Sequence, residues 1–206
     1  MEPITGSLIG NPRIHTLNQL IMKHKDFILN IHKRLAEISI GASSLRNQGA
    51  PKVIEISRNY MINNIKLSKL FERLADEEMF LKFLNYHTGK LKNKYPEKGK
   101  NWGTARKALN LFFREVVYNK FLSDKFGLSK NLKKYNLNIR NLEVPLDDDV
   151  AKGISNDSKK ALPKWETIKN LTSKFSKKYQ KEAKEIAKYK GIARIHLDLL
   201  YWRSKT

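Results

Sequence analysis

From Ile14 to Ile38 the residues Ile14, Leu17, Ile21, His24, Ile28, Ile31, Leu35 and Ile38 return at alternating steps of three and four. That spacing keeps them on one stripe of an α-helix, whereas a half-buried strand would need apolar residues at every second position. Later segments do not sustain the same repeat, so packing inside a helical domain is favoured over a coiled coil. His24 on the seam reads as a core or interface histidine. No run of alternating apolar and polar residues and no internal repeat occurs in the chain. The expected fold is all-α.

Turn residues divide the remaining chain. Gly41-Ala42-Ser43-Ser44 is a break, and Pro51 suits the first turn of a second helix carrying Val53, Ile54, Ile56, Tyr60 and Met61. A third helix is expected from Asp76 through Leu91, ending before the basic turn Tyr95 to Lys100. The longest and most central helix should run from about Thr104 to Phe126, burying Ala108, Leu109, Phe112, Phe113, Val116, Val117 and Phe121, with Gly127 as its cap. Leu128 to Glu143 reads as a connection. A short helix follows Asp147, interrupted by Gly153 and Asn156, and helical pattern resumes around Trp165 and Ile168. A strong helix spans Ser176 to Lys190, and after Gly191 a last one carries Ile192, Ile195, Leu199, Leu200 and Trp202. The 206 residues fit one domain, with helical lobes roughly 1–100 and 101–206.

The chain has 41 Lys and Arg against 20 Asp and Glu, a net charge of +21 spread along its length, so a polyanion is the expected partner. Nucleic acid fits better than a membrane surface, because no apolar run reaches the roughly 20 residues that span a bilayer. With zero cysteines, thiol nucleophiles, disulfides, Cys-based zinc sites and Cys-ligated iron–sulfur clusters are excluded. The N-terminus has no basic segment followed by an apolar core, so a cytoplasmic location is expected.

Within this basic chain, Val144-Pro145-Leu146-Asp147-Asp148-Asp149-Val150 sets three carboxylates at a helix start. Capping is one reason for them, since the first free N–H groups and the positive helix end both favour acid. Upstream lies Trp102-Gly103-Thr104-Ala105-Arg106-Lys107-Ala108-Leu109. Together the two segments resemble the helix-hairpin-helix DNA glycosylase superfamily, most closely its archaeal 8-oxoguanine branch. There a turn and a lysine-bearing helix precede a Val-Pro-Val-Asp-like segment with the catalytic aspartate. The resemblance covers the second half of the chain well and the first half in helical layout. It implies two helical lobes around a cleft, no cofactor or metal, and no obligate protein partner for what is expected to be a monomer.

The same resemblance makes Lys107 the catalytic lysine and Asp147 the catalytic aspartate. An amine nucleophile has to be desolvated or set among cations, and the apolar residues around Lys107 meet that requirement; a solvated lysine on a helix face has the same signature. Breaking an N-glycosidic bond develops positive charge on the sugar, which a fixed carboxylate stabilises. The hairpin position implies phosphate contacts near Gly103, Thr104 and Arg106, although one glycine remains of the family's usual pair. Lys177, Lys181, Lys184 and Lys188 form either a solvated face or a phosphate track. Gln48, in Arg46-Asn47-Gln48-Gly49, together with Trp202 and His196, takes positions of a base wedge or pocket, and each also has a plain structural explanation. Three neighbouring aspartates about 100° apart make a poor metal cage, which weighs against a metal-dependent nuclease. The expectation is a DNA glycosylase that flips out and excises a modified or damaged base, in anti-phage defence or base excision repair, with an associated lyase step open; the alternative is a non-catalytic helical DNA-binding protein.

Overall fold

The computed structural model describes residues 12–45 and 51–202, with side chains from Lys25 onward. The described residues are all-helical and contain no strand. Ten α-helices follow one another: α1 (Pro12–Ser39), α2 (Val53–Asn64), α3 (Leu67–Arg73), α4 (Glu77–Lys94), α5 (Trp102–Tyr118), α6 (Lys120–Lys125), α7 (Leu132–Ile139), α8 (Asp148–Asp157), α9 (Ser173–Tyr189) and α10 (Leu197–Tyr201). None is long and apolar enough to cross a membrane.

Helix α5 is the axis of the molecule. Every residue from Gly103 to Phe113 is buried, a pattern a helix shows only when neighbours surround it. Its apolar side, Ala105, Ala108, Leu109, Phe112, Phe113, Val116 and Val117, meets α1, α2 and α4. On α1, Ile28, Ile31 and Leu35 face this core, but Ile38 is exposed and His32 is buried instead. His32 stacks on Phe112 and donates to the Met61 carbonyl at 2.9 Å, and that satisfied polar contact lets an imidazole sit where apolar spacing placed none. On α4, His87 Nδ1 shares a 2.7 Å hydrogen bond with the Tyr60 hydroxyl, and burial holds its pKa down at about 4.

Among the described residues the buried apolar side chains form two hydrophobic cores. The first takes residues from α1 through Leu142, with Ala193 and Ile195. The second gathers Val144 and Leu146 with α8, α9 and α10. Helix α5 thus belongs with the N-terminal elements. The expected long helix from Thr104 to Phe126 is broken at Asn119, whose side chain accepts from the Leu122 N–H and starts α6; Phe121 is accordingly exposed. Gly127 does follow the end of α6 at φ 76°. The connection after it folds into α7, capped by Asn131. Helix α2 begins at Val53, past Pro51, and α3 was not foreseen. Around Trp165 the chain is extended apart from a 3-10 turn, Ile168–Asn170.

Two glycines allow close approaches. A Cβ on Gly103 would stand 2.1 Å from the Ile168 carbonyl oxygen, so this glycine lets the Ile168–Asn170 turn close over the start of α5. On Gly153 a Cβ would meet the Tyr201 ring at 2.3 Å, so α8 runs through that position with α10 packed against it. The last helix is short, and Leu199, Leu200 and Trp202 are exposed.

Candidate active site

Between α7 and α8 the buried segment Asn141 to Leu146 is irregular, leaving α7 by a turn at Asn141 and a bend at Leu142 and forming neither helix nor strand. An irregular buried backbone needs partners for its N–H and C=O groups. Side chains supply them. Gln180 of α9 accepts from the Val144 N–H at 3.1 Å and donates to the Val144 carbonyl at 2.7 Å, as a neighbouring strand would. Arg194 spreads its guanidinium over the carbonyls of Leu142, Asn141 and Gln180 at 3.0, 3.0 and 3.1 Å. Pro145 has no N–H to satisfy.

Two charged pairs then join this segment to α5. Arg106 binds Glu143 bidentately at 2.8 and 3.0 Å, donates further to Asn85 and Thr88, and lies over the Trp102 ring. Burial pushes the Glu143 carboxyl up, but the charge and hydrogen bonds of Arg106, with Arg194 and Asn110, outweigh it and hold it below the usual carboxylate range. One position on, the Lys107 Nζ stands 3.1 Å from Asp147 Oδ2. The lysine side chain is 7% exposed and the aspartate 23%. The other oxygen, Asp147 Oδ1, accepts from the Val150 N–H at 3.0 Å and caps α8. The two residues that the sequence singled out as a catalytic pair therefore meet, although far apart in the chain.

The neighbouring aspartates diverge. Asp148 accepts from the Trp165 indole N–H at 2.6 Å, and Asp149 faces solvent in the first turn of α8. Only Asp147 turns toward α5, and the three carboxylates do not converge on one point.

Other expected positions fare differently. Gly103, Thr104 and Arg106 are buried, and Arg106 is spent on Glu143, so these side chains do not offer a phosphate contact. Lys181, Lys184 and Lys188 are exposed on α9. Lys184 is tied to Glu77, both carboxylate oxygens lying 2.7 Å from its Nζ. Gln48 lies outside the described residues. His196 does not line the pair: it stacks on Tyr118 and Tyr135 and is bonded at both ring nitrogens, to the Tyr118 hydroxyl at 2.7 Å and Asn136 at 2.8 Å. Tyr118 ends α5 about three turns, or roughly 16 Å, beyond Lys107. Asp198, on the same terminal segment, pairs with Arg114. Trp202 stands 59% exposed at the end of α10.

Sequence reasoning missed Glu143, Gln180, Arg194 and Asn110. Glu143 carried a signal, a lone acid ahead of a Val-Pro pair in a buried run; the others look like ordinary helix or loop residues. Asn110 donates to Glu143 at 3.4 Å and leaves its Oδ1 buried without a partner. In comparisons with protein-family models, curated proteins and solved structures, nothing matches the chain.

Proposed function

We propose that this protein is a DNA glycosylase that extrudes a modified or damaged nucleotide and breaks its N-glycosidic bond, serving anti-phage defence or base excision repair. The observation that carries the reading is the Lys107–Asp147 pair, 3.1 Å apart at the junction of the two cores in a chain of net charge +21. Helix α4, the turn from Tyr95 to Asn101 and α5 take the part of the helix-hairpin-helix element. Because Gly103 is spent on the Ile168 carbonyl, phosphate contacts at this hairpin fall to the turn before it.

Asp147 has one oxygen fixed on the start of α8 and the other beside Lys107, so its charge is held in place before substrate arrives. Such a carboxylate stabilises positive charge at C1′ as the bond to the base lengthens, with no reorganisation needed at that moment. The electron pair of the breaking C1′–N bond leaves with the base, which takes a proton. Water adding to C1′ gives a simple glycosylase. If the Lys107 amine adds instead, after passing its proton to the adjacent carboxylate, a Schiff base forms and the abasic strand can be nicked. Base pairing in a duplex hides C1′ chemistry of this kind, so extrusion of the nucleotide is part of the proposal.

Incubation in EDTA with duplexes carrying different modified bases, or with modified phage DNA, followed by alkali, tests it. Alkali-dependent breaks abolished by Asp147→Asn support hydrolysis; breaks without alkali, trapped by borohydride and lost in Lys107→Gln, support the lyase step. Activity that EDTA removes would overturn the metal-free reading. One observation favours a binding protein without chemistry: both Asp147 oxygens are already engaged within the protein. Salt-sensitive DNA binding with no product on any substrate would establish that alternative.

A further inference from the structure

A cleft of about 400 Å³ lies between α4, the start of α5 and α9, with the Arg106–Glu143 pair at its base. Its charge is unbalanced. Two carboxylates line it, and each is consumed: Glu143 by Arg106 and Glu77 by Lys184. Lys177 and Lys181, one turn apart on α9, line it too and have no carboxylate within ion-pair distance among the described residues. Behind them Arg194 is buried, and its hydrogen bonds go to neutral carbonyl groups. Burial holds its charge below the usual guanidinium range, while Glu143 offsets part of that cost. A desolvated cation beside two unpaired lysines favours an anion in the cleft. Ser173 and Ser176 add hydroxyl groups on the same wall, and Trp102 closes the other side. The volume lies in the lower part of the range for small ligands, enough for one phosphate with its sugar and too small for a duplex.

We propose that this cleft is a phosphate subsite, with Lys177 and Lys181 as its contacts and Arg194 supplying the field behind them. The proposal deepens the DNA-binding reading above and rests on it for the source of the phosphate, a backbone phosphodiester of the bound strand; a free nucleotide offers the same chemistry. It divides the lysine stripe of α9 by role. Lys177 and Lys181 bind, Lys184 is held back by Glu77, and Lys188 lines a separate hollow with Arg140 and Lys133.

The test is equilibrium binding of short, labelled, unmodified single strands and duplexes across a salt series. Unmodified bases keep the measurement independent of excision. The double variant Lys177→Gln/Lys181→Gln should bind about tenfold more weakly and lower the salt slope by roughly 0.7 per lysine on single strands and roughly 0.9 on duplex. Glu77→Gln frees Lys184 and should tighten binding severalfold, a gain that misfolding does not produce. Lys120→Gln, on α6, should leave the cleft's contribution unchanged. Deoxythymidine monophosphate that displaces the strand from the native chain but not from the double variant assigns the site to free nucleotides; failure to displace it, with the variant effects intact, assigns it to the strand backbone. An unchanged salt slope in the double variant, or weaker binding by Glu77→Gln, overturns the proposal. Excision abolished by Asp147→Asn would then still stand, so the two readings fail separately.

Discussion

Arg106–Glu143 and Lys107–Asp147 are neighbouring pairs joining the same two elements, yet they differ in nearly every physical respect. Arg106 and Glu143 are each about 6% exposed, make two parallel hydrogen bonds and are surrounded by Asn85, Thr88, Asn110 and Trp102. Lys107 and Asp147 share one 3.1 Å contact at the edge of solvent. A bidentate, enclosed pair has its donors and acceptors committed to the protein. A point-charge pair with one partner partly open retains room for a substrate. The difference in enclosure suits the first pair to scaffolding and, under the proposed function, the second to chemistry, a distinction that two adjacent basic residues in a sequence do not show.

The largest effect should fall on activity at the open pair. Asp147→Asn keeps an acceptor for the Val150 N–H but removes the charge, and base release should drop on the order of a thousandfold. Excision assays with alkali read this directly, and near-native activity would break the comparison. Next is stability at the enclosed pair. Glu143→Gln leaves the Arg106 charge buried without a counterion and should cost about 3–5 kcal/mol in urea unfolding, against roughly 1–2 kcal/mol for Asp147→Asn at the more open site. Equal costs would mean that the two pairs are alike. Gly103→Ala is expected to cost about 1–3 kcal/mol, because its Cβ would drive the Ile168–Asn170 turn off the start of α5; thermal unfolding measures it.

The smallest effect concerns pH. His87, held at about 4 by burial, stays neutral in the folded protein while the unfolded chain takes up a proton near 6.5. The unfolded state therefore binds more protons between those values, and stability should decline as pH falls from 6.5 toward 4. Glu143, whose carboxyl is held below its usual range, adds loss of the same sign in acid. His87→Gln should reduce the upper part of that decline in denaturation midpoints measured at successive pH values, leaving the same-sign contributions of His32 and His196, also lowered by burial, and of Glu143 at the acid end.

Much of the helical layout was legible in the sequence, since apolar spacing and end residues are local properties. The bodies of α1, α4, α5 and α9 follow from periodicity, and Gly127 and Gly191 mark ends with φ of 76° and 68°. The break at Asn119 was hidden because the apolar period runs on through Phe121; only the capping bond to Leu122 reveals it. His196 is a related case, with a pocket reading and a packing reading both open in the sequence. A polar residue in an apolar helix looks functional until Tyr118, Tyr135 and Asn136 are found satisfying it.

By itself the sequence determined an all-helical chain, a strongly cationic one, and a lysine and an aspartate in two segments whose pattern pointed to one another. Periodicity, capping and net charge are properties of neighbours along the chain, so they can be read there. The tertiary structure decided that Lys107 reaches Asp147 while Arg106 is enclosed by Glu143, and that the lysines of α9 face different hollows. Those outcomes depend on the irregular Asn141 to Leu146 segment, held by Gln180 and Arg194 from a later part of the chain. Such long-range hydrogen bonds leave no local pattern, because their geometry exists only once the two cores have packed.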